Sequence, residues 1–591
     1  MNRLRRFSLA LTCAAGTALS TGWAADNTPP ASATAGQSAD VQQLKEQLEQ
    51  QQKEIEKLRT ILESQQKLLE KATAPAAEPQ APQKQAAEKP AAPAPAAPVP
   101  AEPERNAPLS LGEVASTQPF IPLGKFAPTV AVGIPGIPIP QGAQTVADLI
   151  PESPLQLRLG FTTITPVGFM DLTNTYRSTN SGAGFATNFG NYPYNNVIPG
   201  GRLTEDRFQA ANSRIGFRTD SVFKGFHVLG YFEGDFVGGV GNAAFNTQVT
   251  SNSILYRMRL YWVNVRKGAF EFQAGQSWSL MTPNRNGLSA LPGDLFYGQE
   301  FDVNYLNGLT WGRIPGLRFI YHPSKTVFMG ISAENAAQYF GGSGGGGVPT
   351  LPAALNVASF QNQLDGNFQN GLSVPNVAPD IIAKIAFQPS SHVHVEIAGV
   401  VDFAKVINPN TNTYYSTTGG GGSINGNFEV VKNFRLVTNN FWSDGAGRYL
   451  FGAAPNFIVR ADGSLSPVHS GSTVDGFEAR LGKTQLYGYY GGIYVGRNTA
   501  RDLNGTFIGY GYPGSANSQN RTMQEGTIGI TQTFFTNPRY GAVSFFLDYA
   551  YFWRNPWAFA TGQAGGKNAK QNAVWFDLRY TLPGSAPTIT Y

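Results

Sequence analysis

From about residue 155 onward the chain alternates apolar and polar positions with a period of two. In the stretch 224–238, Phe226, Val228, Gly230, Phe232 and Phe236 share one face, and His227, Tyr231, Glu233 and Asp235 share the other. In 253–266, Tyr256, Met258, Leu260 and Trp262 point one way, with Arg257 and Arg259 opposite. In 571–582, Phe576, Leu578, Tyr580 and Leu582 alternate with Asp577 and Arg579. A period of two puts successive side chains on opposite faces of a strand. The patterned runs extend for about ten residues or more, the length of a tilted strand that crosses a bilayer.

Short and long connections also alternate. Tight turns are expected near Ser221–Lys224, Arg266–Gly268, Pro323–Lys325, Gln388–Ser391, Val431–Asn433, Gly482–Thr484 and Thr536–Arg539. Between them come longer loops at 178–207, 239–252, 280–304, 335–378, 405–420, 444–471, 498–522 and 557–568. Short turns at one rim and long loops at the other are the habit of a transmembrane β-barrel, and the count gives about 16 antiparallel strands with both chain ends on the short-turn side. A barrel of that size leaves an aqueous channel. The glycine tracts Gly341–Gly347 and Gly419–Gly422 fall in expected external loops, and Trp262, Trp278, Trp442 and Trp553 near strand ends suit an interfacial girdle.

Ahead of the barrel the pattern changes. Arg3, Arg5 and Arg6, then an apolar run from Phe7 to Leu19, then Gly22-Trp23-Ala24-Ala25, read as a signal peptide over 1–24. The chain's one cysteine, Cys13, lies inside it. Residues 41–71 form a heptad, with Val41, Leu48, Ile55, Leu62 and Leu69 at a and Leu44, Gln51, Leu58 and Gln65 at d, so an α-helical coiled coil is expected. Residues 72–108, with ten prolines, read as an extended Pro/Ala-rich linker. Residues 109–154 are apolar but broken by proline, an irregular pre-barrel segment. The barrel takes 155–591.

Composition supports this architecture. Charged residues are 14% and aromatics 12%, with 67 glycines. The mean hydropathy is only −0.21. Half the strand residues of a barrel face lipid and half face water, which gives that mixture. Removal of Arg3, Arg5 and Arg6 from the 44 basic residues leaves 41 against 39 acidic ones, so charge gives no case for nucleic acid as a partner.

The polar strand faces are expected to line the pore. They carry Arg214, Arg218, Arg257 and Arg259 opposite Glu233, Asp235 and Glu271, and later Glu396, Asp402, Arg480, Asp548 and Arg579. Arginine stays charged and pairs bidentately with carboxylate or phosphate, so an anion-preferring pore is one reading. A structural network of arginine–acid pairs is the other. The loop after the fifth strand, 280–304, offers Arg285, Asp294, Glu300 and Asp302 as constriction residues if it folds inward.

The order of signal peptide, heptad helix and roughly 16-stranded barrel resembles the DcaP-like trimeric porins. Ala211-Asn212-Ser213-Arg214-Ile215-Gly216-Phe217-Arg218, then Tyr231-Phe232-Glu233-Gly234-Asp235-Phe236, are similar to that family's early hairpin, and Gly275-Gln276-Ser277-Trp278 before a long loop fits as well. The resemblance implies an outer-membrane homotrimer taking up small organic anions such as dicarboxylates, with the N-terminal arm in the periplasm. The phosphate-selective porins O and P have a similar layout, but their lumen lysine clusters are not evident here.

An enzyme would need a nucleophile with a base in reach. The histidines are His227, His322, His392, His394 and His469, and the His392-x-His394-x-Glu396 line reads as a water-facing strand face rather than a metal site. No catalytic residues, metal or cofactor are expected. A structural role is the remaining alternative, with the arm tethering the envelope to peptidoglycan and the barrel as anchor.

Overall fold

The structure, a computed structural model, describes residues 154–583 apart from 181–186, 188, 194–200, 202, 239–254, 289–295, 297–304, 343–345, 367–373 and 561–568. The expected signal peptide, coiled coil, linker and nearly all of the pre-barrel segment lie outside the described residues.

The strands close into one antiparallel barrel. In chain order they are β1 (Thr162–Arg177), β2 (Glu205–Gln209 and Arg214–Phe223), β3 (Phe226–Asp235) and β4 (Arg257–Lys267). Then come β5 (Phe270–Trp278), β6 (Arg313–Tyr321), β7 (Val327–Glu334) and β8 (Asp380–Ser390). β9 (Val393–Asn408), β10 (Thr413–Val431), β11 (Phe434–Asp444) and β12 (His469–Leu481) follow. β13 (Thr484–Val495), β14 (Asn520–Asn537), β15 (Gly541–Pro556) and β16 (Ala569–Thr581) complete the wall. The two pieces of β2 count as one strand because both pair with β1, Glu205 opposite Arg177 and Ser221 opposite Thr162. Each strand pairs with the next, and β16 returns to β1 from Ala573↔Arg177 to Thr581↔Phe169. Below that point Leu157–Leu159 covers the free edge of β1, with Leu157 opposite Ile164. Closure leaves no row of unpaired backbone groups facing lipid, the condition for spanning a bilayer with strands.

Side chains sort as the period-two pattern requires. Ile215, Phe319, Ile397 and Ile528 are 50%, 43%, 60% and 60% exposed on the outside, whereas Asp171, Asp220, Glu396, Asp548 and Arg579 are buried within. Among the described residues no helix is long and apolar enough to cross a membrane.

Two expectations need correction. The pairing of β3 with β4 slips between Glu233 and Gly234: Glu233 faces Leu260 and Gly234 faces Met258, which leaves Arg259 as a bulge. One extra residue shifts the alternation by one. Arg259 and Leu260 therefore both point inward, Trp262 follows them inside, and Tyr261 and Val263 take the outer face. Trp262 thus stacks on Tyr231 in the interior, ring centroids 5.5 Å apart, and is no part of an outer girdle. Trp278 also packs against interior clusters, so Trp442 and Trp553 are the two tryptophans of the four that remain on the outer face.

The second correction concerns 405–420. It is not a long loop but the top of a hairpin, in which β9 and β10 pair to Asn408↔Thr413. Gly419–Gly422 lie within β10. The absence of side chains there has a packing reason. A Cβ on Gly419 would sit 2.0 Å from Asp402 Oδ1 and 2.6 Å from the carbonyl oxygen of Gly445, so the loop 445–468 can lie directly on the wall.

Candidate channel lumen

β16 and β1–β4 place a paired-charge layer on the inner wall. Arg218 donates to Asp220 through Nε at 2.6 Å and Nη2 at 2.8 Å. Two residues apart on one strand, these side chains share a face by the strand period. Arg259 donates to Glu233 at 2.9 Å and to Asp235 at 2.7 Å. Arg257 adds 3.0 and 2.6 Å bonds to the two oxygens of Asp235. Arg214 forms a 3.8 Å ion pair with Glu233. On β16, Arg579 donates to Asp171 at 2.7 Å, lies 3.6 Å from Asp577 and sits between the rings of Phe169 and Phe546. Five guanidinium groups here meet the five carboxylates Asp171, Asp220, Glu233, Asp235 and Asp577. All except Arg257 are nearly inaccessible. The bulge at Arg259 does not displace the arginines, which a regular period would also turn inward; it brings Leu260 and Trp262 to the same inner face.

The other expected lumen residues are also inward, with local partners. Glu271 receives His322 at 2.7 Å and Asp402 receives Asn456 at 2.7 Å. Arg480 sits at the tight-turn end, where its Nε donates to the Gly482 carbonyl at 3.1 Å. His394 lies 3.4 Å from Glu396, while His392 turns to Glu429 at 2.6 Å. Among the described residues no group of three or more His, Cys, Asp or Glu side chains could hold a metal ion.

The described parts of the loop after β5, 279–312, run inside the barrel. A loop in a closed interior must find partners for its backbone donors. Strands β7–β14 supply them. Leu280 N–H donates to Glu334 at 2.8 Å, Asn284 N–H to Glu396 at 2.8 Å, Gly287 N–H to Gln388 at 2.7 Å, Asn307 N–H to Glu525 at 2.8 Å and Thr310 N–H to Asn439 at 2.9 Å. Lys384 Nζ donates to the Thr282 carbonyl at 2.7 Å. Arg285 reaches Glu478 with a 2.6 Å bond. Phe296, Tyr305, Leu306 and Leu309 pack on Val437, Val474, Tyr487 and Tyr489. The loop thus leans on β7–β14, and the arginine-bearing sector β16–β4 is the wall opposite. Arg285 lies inside the barrel; Asp294, Glu300 and Asp302 lie outside the described residues.

The loop's wall partners Glu478, Glu525, Lys384 and Gln388 are candidate positions that no sequence motif marked. Each sits on the inward parity of its strand. Lys384 was the most visible signal, a lysine in the otherwise apolar run Ile381-Ile382-Ala383-Lys384-Ile385.

No family model matches the chain, and no curated protein matches it. Among solved structures, the outer membrane channel DcaP of Acinetobacter baumannii aligns with 18% identity over 72% of this chain and 98% of that one, at a TM-score of 0.50. The chain has the DcaP fold. The anion-selective porin from Comamonas acidovorans aligns over 71% of this chain and 99% of that one with 11% identity and a TM-score of 0.40. OmpF of Salmonella typhi, in complex with daunomycin, aligns over 72% and 100% with 11% identity and a TM-score of 0.37.

Proposed function

We propose that this chain is an outer-membrane channel for passive diffusion of small hydrophilic solutes, and that small organic anions such as dicarboxylates pass it more readily than cations. The observation that carries the reading is the paired-charge wall on β16–β4 facing an inward loop. A narrow, wet passage between two polar surfaces lets hydrophilic solutes exchange water for wall contacts at little cost. The wall's charges balance, so its preference cannot come from a large net field. It comes from exchange at Arg257, the guanidinium of this layer that is partly open (29% exposed): a solute carboxylate can replace Asp235 there, and Asp235 keeps Arg259. A cation has only carboxylates already held by arginine.

In this reading residues 1–24 direct export, the helix 41–71 joins three copies on the periplasmic side, and the linker 72–108 sets its distance from the barrel, within reach of peptidoglycan. Discrete conductance steps in a planar bilayer, with a reversal potential in a potassium chloride gradient of the sign for chloride preference, are expected. A C4 dicarboxylate should reduce the chloride current. Cation preference would reject the anion reading, and no discrete steps would reject the channel.

A further inference from the structure

At the long-loop rim, the outside of the barrel carries two arginines on one indole. On β14 the odd positions Met523, Glu525 and Thr527 are buried in the barrel, so a regular strand would carry Arg521 inward as well. The pairing with β15 instead slips between Asn520 and Thr522, which makes Arg521 an extra residue. Asn520 takes the buried place and Arg521 is exposed. Bulges re-aim side chains in this way. Arg497, just past the end of β13, is exposed too. Both guanidinium groups lie over Trp557, with the central carbon of Arg497 4.6 Å and that of Arg521 5.1 Å from the ring centroid.

The indole is fixed in place. Trp557 Nε1 donates to the Val495 carbonyl at 3.0 Å, so the ring of a β15 residue reaches over the top of β14 to β13. Its backbone N–H donates to the Gln519 carbonyl at 3.1 Å. Gly511, at φ +79°, makes room for the ring, since a Cβ there would lie 2.7 Å from it. The level is that of lipid headgroups. The outward positions of β15 run Phe545, Leu547, Tyr549, Tyr551, Trp553 and Asn555 before Trp557. A strand tilted by about 40° climbs about 2.5 Å per residue, so about ten residues cross an apolar band about 25 Å tall. Counted from Phe545, that band ends near Asn555, and the arginines stand above it. Tyr494, 6.3 Å from the Trp557 ring, and the Tyr490–Trp553 pair, 6.4 Å apart, form the aromatic girdle just below.

A guanidinium stacked on a ring keeps its N–H edge for a bidentate bond to an oxyanion. Protein acids do not use these edges. Among the described residues of β13–β15 and of 496–521, the acids Asp502, Glu525 and Asp548 are all buried, and Arg497 and Arg521 have no carboxylate partner. We propose that Arg497, Arg521 and Trp557 bind the phosphate of a phosphorylated lipid headgroup in the outer leaflet. The proposal rests on the membrane-channel reading above, which puts the long-loop rim at the outer surface. Charge complementarity selects an anionic headgroup. The girdle selects a lipid over free phosphate, because Tyr494 and Trp553 offer acyl chains an apolar surface that an inorganic ion cannot use.

The test uses the full chain in detergent with diphosphorylated lipid A as the probe. Bound lipid is counted by native mass spectrometry, and conductance is recorded on the same preparation. The double variant Arg497→Gln with Arg521→Gln should bind lipid A at least about tenfold more weakly, with conductance steps retained. Arg539→Gln is the control, since Arg539 is exposed over Tyr540 at the tight-turn rim, and it should bind as the parent does. Lipid A stripped of both phosphates should bind parent and double variant alike. Equal lipid A binding by parent and double variant, or a loss as large in Arg539→Gln, would overturn the site. Displacement of lipid A by inorganic phosphate at equal concentration would overturn the choice of a lipid. Loss of conductance in the unsubstituted chain would instead count against the channel reading.

Discussion

Arg285 and Glu478 are joined across the barrel by a buried, two-pronged ion pair, with Arg285 Nη1 2.6 Å from Glu478 Oε2. The first belongs to the loop after β5 and the second to β12, seven strands on. The Tyr489 hydroxyl donates a further 2.9 Å bond to Glu478. The pair fixes where the loop crosses the lumen, because a bidentate guanidinium–carboxylate contact constrains direction as well as distance.

Arg285→Ala should therefore free the loop and leave the barrel intact. Removing one partner of a buried pair costs about 3–5 kcal/mol, here charged to a local docking event rather than to the backbone ladder of the wall. The expected outcome is a larger and noisier single-channel conductance with an unchanged heat-modifiability transition. Deletion of 284–298 should raise conductance further. If neither change alters conductance, the loop does not limit the pore.

Arg259→Gln tests the selectivity wall. Arg259 binds Glu233 and Asp235 together, so its loss leaves the sector with four guanidinium groups against five acids. The reversal potential should move toward cations. Arg257→Gln should move it further, since Arg257 is 29% exposed and is the guanidinium that a solute carboxylate can reach. A smaller shift for Arg257→Gln than for Arg259→Gln would mean that exchange at Arg257 does not set the preference.

Much of this architecture was legible because a closed barrel repeats one rule. Alternation in 571–582 sorted Phe576 and Asp577 to opposite faces, and the alternating connection lengths gave 16 strands and the position of the inward loop. The failures are local and physical. The bulge at Arg259 has no signature in composition, yet it reverses the face of every later residue in β4, Trp262 included. Gly419–Gly422 has the composition of a loop and is strand, where a side chain at Gly419 would run into Gly445 and one at Gly421 into Phe441. The partners of the inward loop were hidden for a third reason: Glu478 and Glu525 are ordinary inward acids until a loop from over 190 residues away donates to them.

Lys384 and Glu396 offer a cycle that separates stability from loop position. Lys384 Nζ lies 3.1 Å from Glu396, and both side chains are fully buried. Lys384→Met alone should lower the unfolding temperature sharply, because Glu396 is left with an uncompensated charge. The double variant Lys384→Met with Glu396→Leu should recover most of that loss, since a buried pair replaced by packed apolar groups is often neutral. Recovery of stability will not restore the loop: the Asn284 N–H and the Thr282 carbonyl both lose their wall partners. Current noise should stay high in both variants; a quiet double variant would show that this anchor does not position the loop.

Asp365 makes the external loops pH-dependent, with a sign that can be worked out. It lies in the 335–379 loop, outside the spanning strands, where burial raises its pKa and the Arg448 guanidinium offsets only part of the rise. The unfolded value is near the ordinary aspartate figure of about 3.9. With the folded pKa higher, the docked loop binds the proton more tightly than the free loop, so docking is favoured at low pH and weakens as pH rises through the folded value. Its backbone ties, Phe340 N–H to the Asp365 carbonyl at 2.6 Å and Asp365 N–H to the Gln338 carbonyl at 2.9 Å, do not titrate and set a floor under the effect. Amide exchange in the described parts of 335–379 should accordingly be slower near pH 4 than near pH 7, after correction for intrinsic rates, and Asp365→Asn should flatten the difference. Exchange that quickens on acidification, or a profile unchanged by Asp365→Asn, would assign the pH response to another group.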